Sequence, residues 1–196
     1  MARKLMILRP SKIDLDWLNN NQPKLCFNNK NIIEGIYKLN SSYKGVALKG
    51  NYKIKIDLLV DNIDLIPTVY LYPENLHRIL NKSDLKISDL HINSDFSLCL
   101  CIPELAKDYL PHGYNLKEFI INLVNPFFYW IRSYCLNKKK PWNDYSHGFQ
   151  GYKEAFGVDV FETKKSVNNQ ELYNCIKKKF GSEYLSKQAF RKIIRG

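Results

Sequence analysis

The chain has 196 residues, 45% of them hydrophobic and 13% aromatic, a composition that fills a core and excludes a disordered polymer. That length suits one domain of about 150 residues with an appendage, large enough to bury roughly two-thirds to three-quarters of its unfolded surface without disulfide staples. The net charge is +11, and +7 of it lies in the last 59 residues, where thirteen basic side chains from Lys138 onward face six acidic ones. Such an end suits nucleic acid, an anionic membrane, an acidic protein or simply solvated helix faces, and charge alone does not choose among them.

The opening stretch "MARKLMILRPSK" starts basic, but its apolar run extends only from Leu5 to Leu8. A signal-peptide core needs about 7–15 apolar residues and a membrane span about 18, so the expected location is cytoplasmic, with no membrane partner. Thiols stay reduced there. The five cysteines show no framework spacing, which leaves each free for packing, ligation or nucleophilic chemistry.

In chain order, "SKIDLDWLNNNQPK" predicts a short helix capped at Ser11 and stopped by the Asn run and Pro23. Three runs of β character follow. "NIIEGIYKL" carries Ile32, Ile36 and Leu39 around Gly35. "NYKIKIDLLV" alternates Tyr52, Ile54, Ile56 and Leu58 against Lys53, Lys55 and Asp57, which predicts one buried and one wet face. "IPTVYLYP" is the third, and short polar loops make an antiparallel meander the simplest topology.

Farther on, Asn115 is a good N-cap with Glu118 three residues later. Ile120, Leu123, Val124, Phe127, Phe128, Ile131 and Cys135 then fall at helical spacing, a stripe that reads as core. Pro126 lacks an N–H and predicts a kink or a split in this helix. The segment "KKKPWNDYSHGFQGYKEAFG" reads as turn-rich, with Gly148 and Gly151 allowing close backbone approach. Asn168 to Gly196 reads as two basic amphipathic helices broken near Gly181.

Chemistry concentrates in "HINSDFSLCLCIPELA", residues 91–106, which holds His91, Cys99 and Cys101. An unperturbed thiol is only a few per cent thiolate at neutral pH, yet that fraction suffices to exchange acyl groups between thiols. Cys99 and Cys101 point the same way on an extended chain. As a zinc pair they need two further ligands, and His112, Cys135 and His147 do not lie at suitable spacing, so no metal site is expected.

The order of these parts resembles a ubiquitin-conjugating enzyme core of the prokaryotic branch, from about Ile32 to Leu136. The strand runs, "YLYPENL", the thiol in "HINSDFSLCL", the helix "NLKEFIINLV" and the segment "DYSHGFQGYKEAF" are similar to that family's successive motifs. The resemblance implies an α+β fold with a four-stranded antiparallel meander packed against helices. The catalytic core would span residues 1–157 and a basic helical extension residues 158–196.

It further implies that Cys99 accepts the C-terminus of a protein modifier as a thioester and passes it to an amine or thiol. Cys101 is then a neighbour. The eukaryotic family places a His-Pro-Asn triplet before its thiol, the Asn donating to the oxyanion. An ungapped count puts that triplet on Asp89-Leu90-His91, making His91 the expected donor, while a loop shorter by two residues makes it Asn93. His147 would stand behind the thiol, and Phe96 replaces the family's turn glycine.

The implied partners are an activating enzyme, a deconjugating peptidase and a ubiquitin-like modifier. In antiphage operons of the CBASS type the partner is instead a Gly-ended target such as the nucleotidyltransferase. No cofactor is implied, because the activating enzyme consumes the ATP. Two alternatives stand beside this reading. One is a catalytically inactive protein-binding module of the same fold. The other is a basic nucleic-acid binder, against which the tail's lack of regular aromatic–basic interleaving argues.

Overall fold

A computed structural model describes residues 5–28, 30–61, 66–93, 95–146 and 148–155. The chain divides into two compact units, one ending at Trp142 and one starting at Asn143. The boundary expected at 157 and the basic extension lie outside the described residues.

The first unit is α+β. Strand β1 (Leu5–Ile7) is followed by helix α1 (Lys12–Asn21), whose N-terminus carries a reciprocal capping box between Ser11 and Asp14. The predicted cap and stop both occur. Strands β2 (Leu25–Phe27), β3 (Ile32–Tyr43), β4 (Val46–Asp57) and β6 (Thr68–Leu71) form a four-stranded antiparallel sheet in that order. The short β5 (Leu59–Asp61) turns away to pair with β1.

Strands β3 and β4 meet at Lys44 and Gly45, both at positive φ, the backbone of a two-residue hairpin loop that matches the sheet twist. Gly35 is required for a different reason. Its φ is +139°, and a Cβ there would sit 2.0 Å from the Lys24 carbonyl oxygen. That carbonyl accepts the Ile36 N–H at 2.9 Å, so β2 can lie close only over a glycine.

The alternation in β4 is borne out: Tyr52, Ile54, Ile56 and Leu58 are buried and Lys53, Lys55 and Asp57 are not. In β3, where both faces carry apolar residues, one face is buried. Ile33, Tyr37 and Leu39 face the core, while Ile32 and Ile36 lie half-buried on the opposite side. Pairing of Ile33 with Ile56 and Tyr37 with Tyr52 imposes that choice.

After β6 the chain enters helix α2 (Pro73–Ser83), an element beyond those expected. Pro73 occupies the first turn, where no N–H is needed, and Leu76 and Ile79 bury one face. Short 3₁₀ turns (Ser88–Leu90 and Pro103–Leu105) and helix α3 (Ala106–Tyr109) follow.

The long predicted helix is split, as Pro126 requires. Helix α4 (Leu116–Phe119), capped by the Asn115 side chain, runs into one π-helical stretch (Ile120–Val124) and then helix α5 (Asn125–Asn137). The apolar stripe is core: Ile120, Leu123, Val124, Phe128 and Ile131 are buried. Phe128 stacks on Tyr52 with ring centres 4.2 Å apart and lies 5.2 Å from Tyr37. The Tyr37 hydroxyl donates to Asn125, and burial pushes its pKa far above the usual phenol value.

In the second unit the segment read as turn-rich holds helix α6 (Gly148–Ala155). Position 151 admits only glycine there, because a Cβ at Gly151 would sit 1.8 Å from the Ser146 carbonyl oxygen. Ser146 is further tied to Glu154, with its N–H and hydroxyl each 2.7 Å from a carboxylate oxygen. Among the described residues no helix is long and apolar enough to cross a membrane.

Candidate functional site

The site is a small hairpin, residues 91–99, held on the edge of the sheet. Its second arm docks on β6, where the Leu98 N–H donates to the Val69 carbonyl at 2.8 Å and the Leu71 N–H to the Phe96 carbonyl at 3.0 Å. Across the hairpin, the Asn93 N–H donates to the Ser97 carbonyl and the Cys99 N–H to the His91 carbonyl, each at 2.8 Å. Ile92 and Leu98 form the bridged pair between these bonds and are buried at 2% and 7% exposure. Register therefore sets Cys99 directly across from His91 at the open end of the hairpin.

The turn is a local polar network. The Asp95 carboxylate accepts the Ser97 N–H at 3.0 Å and the Ser97 hydroxyl at 2.6 Å, and that hydroxyl accepts the Asn93 amide at 2.9 Å. This side-chain-to-backbone bond two residues on is an Asx turn. Hydrogen bonds from the Ser97 hydroxyl and backbone hold the Asp95 carboxyl below the ordinary carboxylate range. Phe96 takes φ +67°, the left-handed conformation that a glycine adopts freely and that costs an L residue about 1–2 kcal/mol.

His91 closes the 3₁₀ turn at φ +55°, with its N–H bonded to the Ser88 carbonyl at 3.0 Å. Histidine is among the residues enriched in that conformation. Its ring stands edge-on to Trp130 of α5, the planes 85° apart and the centres 6.3 Å apart. The His91 backbone thus meets Cys99 while the His91 ring is anchored on α5.

The two expected oxyanion donors, His91 and Asn93, are brought to one hairpin with Cys99. Asn93 spends one amide hydrogen on Ser97, and its second is not used by that bond. Cys99 and Cys101 are both half-exposed, but Cys101 packs against the hydrophobic core, whereas Cys99 is not part of that cluster. His147 lies outside the described residues.

Three contributors were missed: Ser97 and Asp95, which order the turn, and Trp130, which seats His91. The "SDFS" spacing signals the Asx turn, but nothing local signals Trp130, which arrives from 39 positions along the chain. Among the described residues no group of three or more His, Cys, Asp or Glu is placed to hold a metal ion. Comparison of the chain with protein-family models, curated proteins and solved structures found no match in any of the three.

Proposed function

We propose that the protein is an acyl carrier with the fold and chemistry of ubiquitin-conjugating enzymes, using Cys99 as its thioester-forming residue. The observation that carries the reading is the half-exposed Cys99 held by register across from His91, with Asn93 on the same hairpin. The Cys99 thiolate attacks the carbonyl carbon of a modifier held as a thioester on an activating enzyme. A new C–S bond forms, the old one breaks, and the partner's thiolate leaves. An amine or thiol of the target then attacks the Cys99 thioester, Cys99 departs as thiolate, and the nucleophile's proton passes to solvent.

During each attack the carbonyl oxygen gains negative charge, and a fixed N–H aimed at it is typically worth about 3–4 kcal/mol. Asn93 or His91 supplies that donor. The partners are an activating enzyme and either a ubiquitin-like modifier or a Gly-ended target, as in antiphage conjugation systems.

Purification of the protein with the genes adjoining its own, followed by mass spectrometry, tests the reading. A reductant-sensitive adduct lost in Cys99→Ala, and converted to a slower-breaking ester in Cys99→Ser, is the expected result. An adduct that survives in Cys99→Ala and disappears in Cys101→Ala moves the nucleophile to Cys101 and refutes the assignment. A second reading, a protein-binding module without chemistry at Cys99, draws on the Asn93 amide already engaged by Ser97. It forms a complex but no covalent adduct.

A further inference from the structure

A cavity of about 190 Å³ opens between β4, α2 and α5, lined by Gly50, Asn51, Tyr52, Arg78, Ile79, Lys82, Arg132 and Cys135. Cys99 and its hairpin do not line it. Three of the lining residues are cations and none is acidic. Lys82 and Arg132 have no carboxylate within ion-pair distance among the described residues, and neither has Arg78. The nearby Lys138 is paired with Asp84, so it is already neutralised.

Two of the three cations are only partly solvated or are held in place. Arg78 donates from Nη2 to the Asn51 carbonyl at 2.7 Å and to the Asn75 side chain at 2.8 Å, which orients its guanidinium. Arg132 has its Nε buried without a hydrogen-bond partner. A buried guanidinium nitrogen with no acceptor is costly, and native proteins satisfy such groups with a carboxylate, water or an anion.

The floor of the cavity adds a donor. Tyr52 is 4% exposed, and its hydroxyl makes no hydrogen bond to any described residue. A side chain at Gly50 would meet it, since a Cβ there lies 2.9 Å from the ring and 3.1 Å from the hydroxyl oxygen. Gly50 therefore keeps the phenol in its place at the cavity. Burial pushes the Tyr52 pKa up to about 12 even with Arg132 nearby, so the hydroxyl stays protonated and donates.

We propose that this cavity is a binding site for a small phosphate dianion, held by Arg78, Lys82, Arg132 and the Tyr52 hydroxyl. Guanidinium groups match the geometry of phosphate oxygens, and the ammonium adds a point charge. The volume is below the roughly 300–1,000 Å³ of pockets that take drug-sized ligands, which restricts the occupant to inorganic phosphate or the terminal phosphate of a larger molecule.

Thermal unfolding and ³¹P NMR titration of the full chain test this, with inorganic phosphate against chloride at equal ionic strength. The expected result is a saturable rise in midpoint with phosphate that chloride does not reproduce. Lys82→Gln, an exposed change, and Arg132→Gln should each weaken phosphate binding about tenfold or more, while the charge-matched surface control Lys49→Gln leaves it unchanged. Glycerol 1-phosphate binding more tightly than inorganic phosphate assigns the site to a phosphomonoester, and equal or weaker binding assigns it to the free ion. A response no larger than that of chloride, or equal affinity in wild type and Lys82→Gln, overturns the proposal.

Discussion

Replacing Ser97 with alanine removes one oxygen from the centre of the thiol hairpin and tests how that hairpin is held. The hydroxyl accepts from the Asn93 amide at 2.9 Å and donates to Asp95 at 2.6 Å, and Ser97 itself is only 7% exposed. A neutral bond is worth about 0.5–1.5 kcal/mol net, and one to an ionised group about 1.5–3 kcal/mol where water is excluded. Asp95 is exposed, so solvent screening reduces the second figure to a fraction. The expected loss is about 1–2 kcal/mol, or about 2–8 °C in midpoint for a chain of this size.

The loss carries a pH signature. The Asp95 carboxyl is held below its ordinary range in the folded state. A depressed pKa contributes stability that is present above the unfolded value, about 3.9, and is lost as pH falls through the folded value. The gap between wild type and Ser97→Ala is therefore widest near neutrality and narrows below about pH 4. Urea unfolding followed by circular dichroism across that range measures it. A gap under about 0.3 kcal/mol at neutral pH, within the scatter of independent sites, refutes the network. A gap that stays constant into acid refutes the role given to the charge of Asp95.

Two further substitutions separate site from scaffold. His91→Ala should slow single-turnover discharge of the loaded Cys99 by about 10²–10³ if the ring supplies the oxyanion donor, and a wild-type rate passes that role to Asn93. Gly35→Ala should cost at least about 1–3 kcal/mol from the φ of +139° alone, before the contact at 2.0 Å from the Lys24 carbonyl is counted. A wild-type urea midpoint for Gly35→Ala means that β2 does not lie against β3 as described.

What the sequence determined by itself is what short-range chemistry determines. The alternation from Tyr52 to Leu58 is a property of adjacent residues, and it was legible because one face of β4 is apolar and the other carries charge. The Ser11 cap and the π-helical interruption just before Pro126 follow from single side chains acting on their own backbone. The same local logic makes α2 legible from Pro73, Leu76 and Ile79. In β3 local chemistry was not enough, because "NIIEGIYKL" has apolar residues on both faces and only pairing with β4 selects one.

Tertiary structure decided the rest, because the deciding partners are remote in sequence. That Cys99 stands across from His91 is a matter of hairpin register, set by Leu98 and Phe96 bonding to β6. That the His91 ring meets Trp130 edge-on depends on where α5 brings a residue 39 positions away. The cationic cavity gathers Tyr52, Arg78 and Arg132 from a strand and two helices, and no motif joins them. Such groups come together only when burial of the core between sheet and helices has fixed the distances, after which their shared cavity becomes a property of the fold.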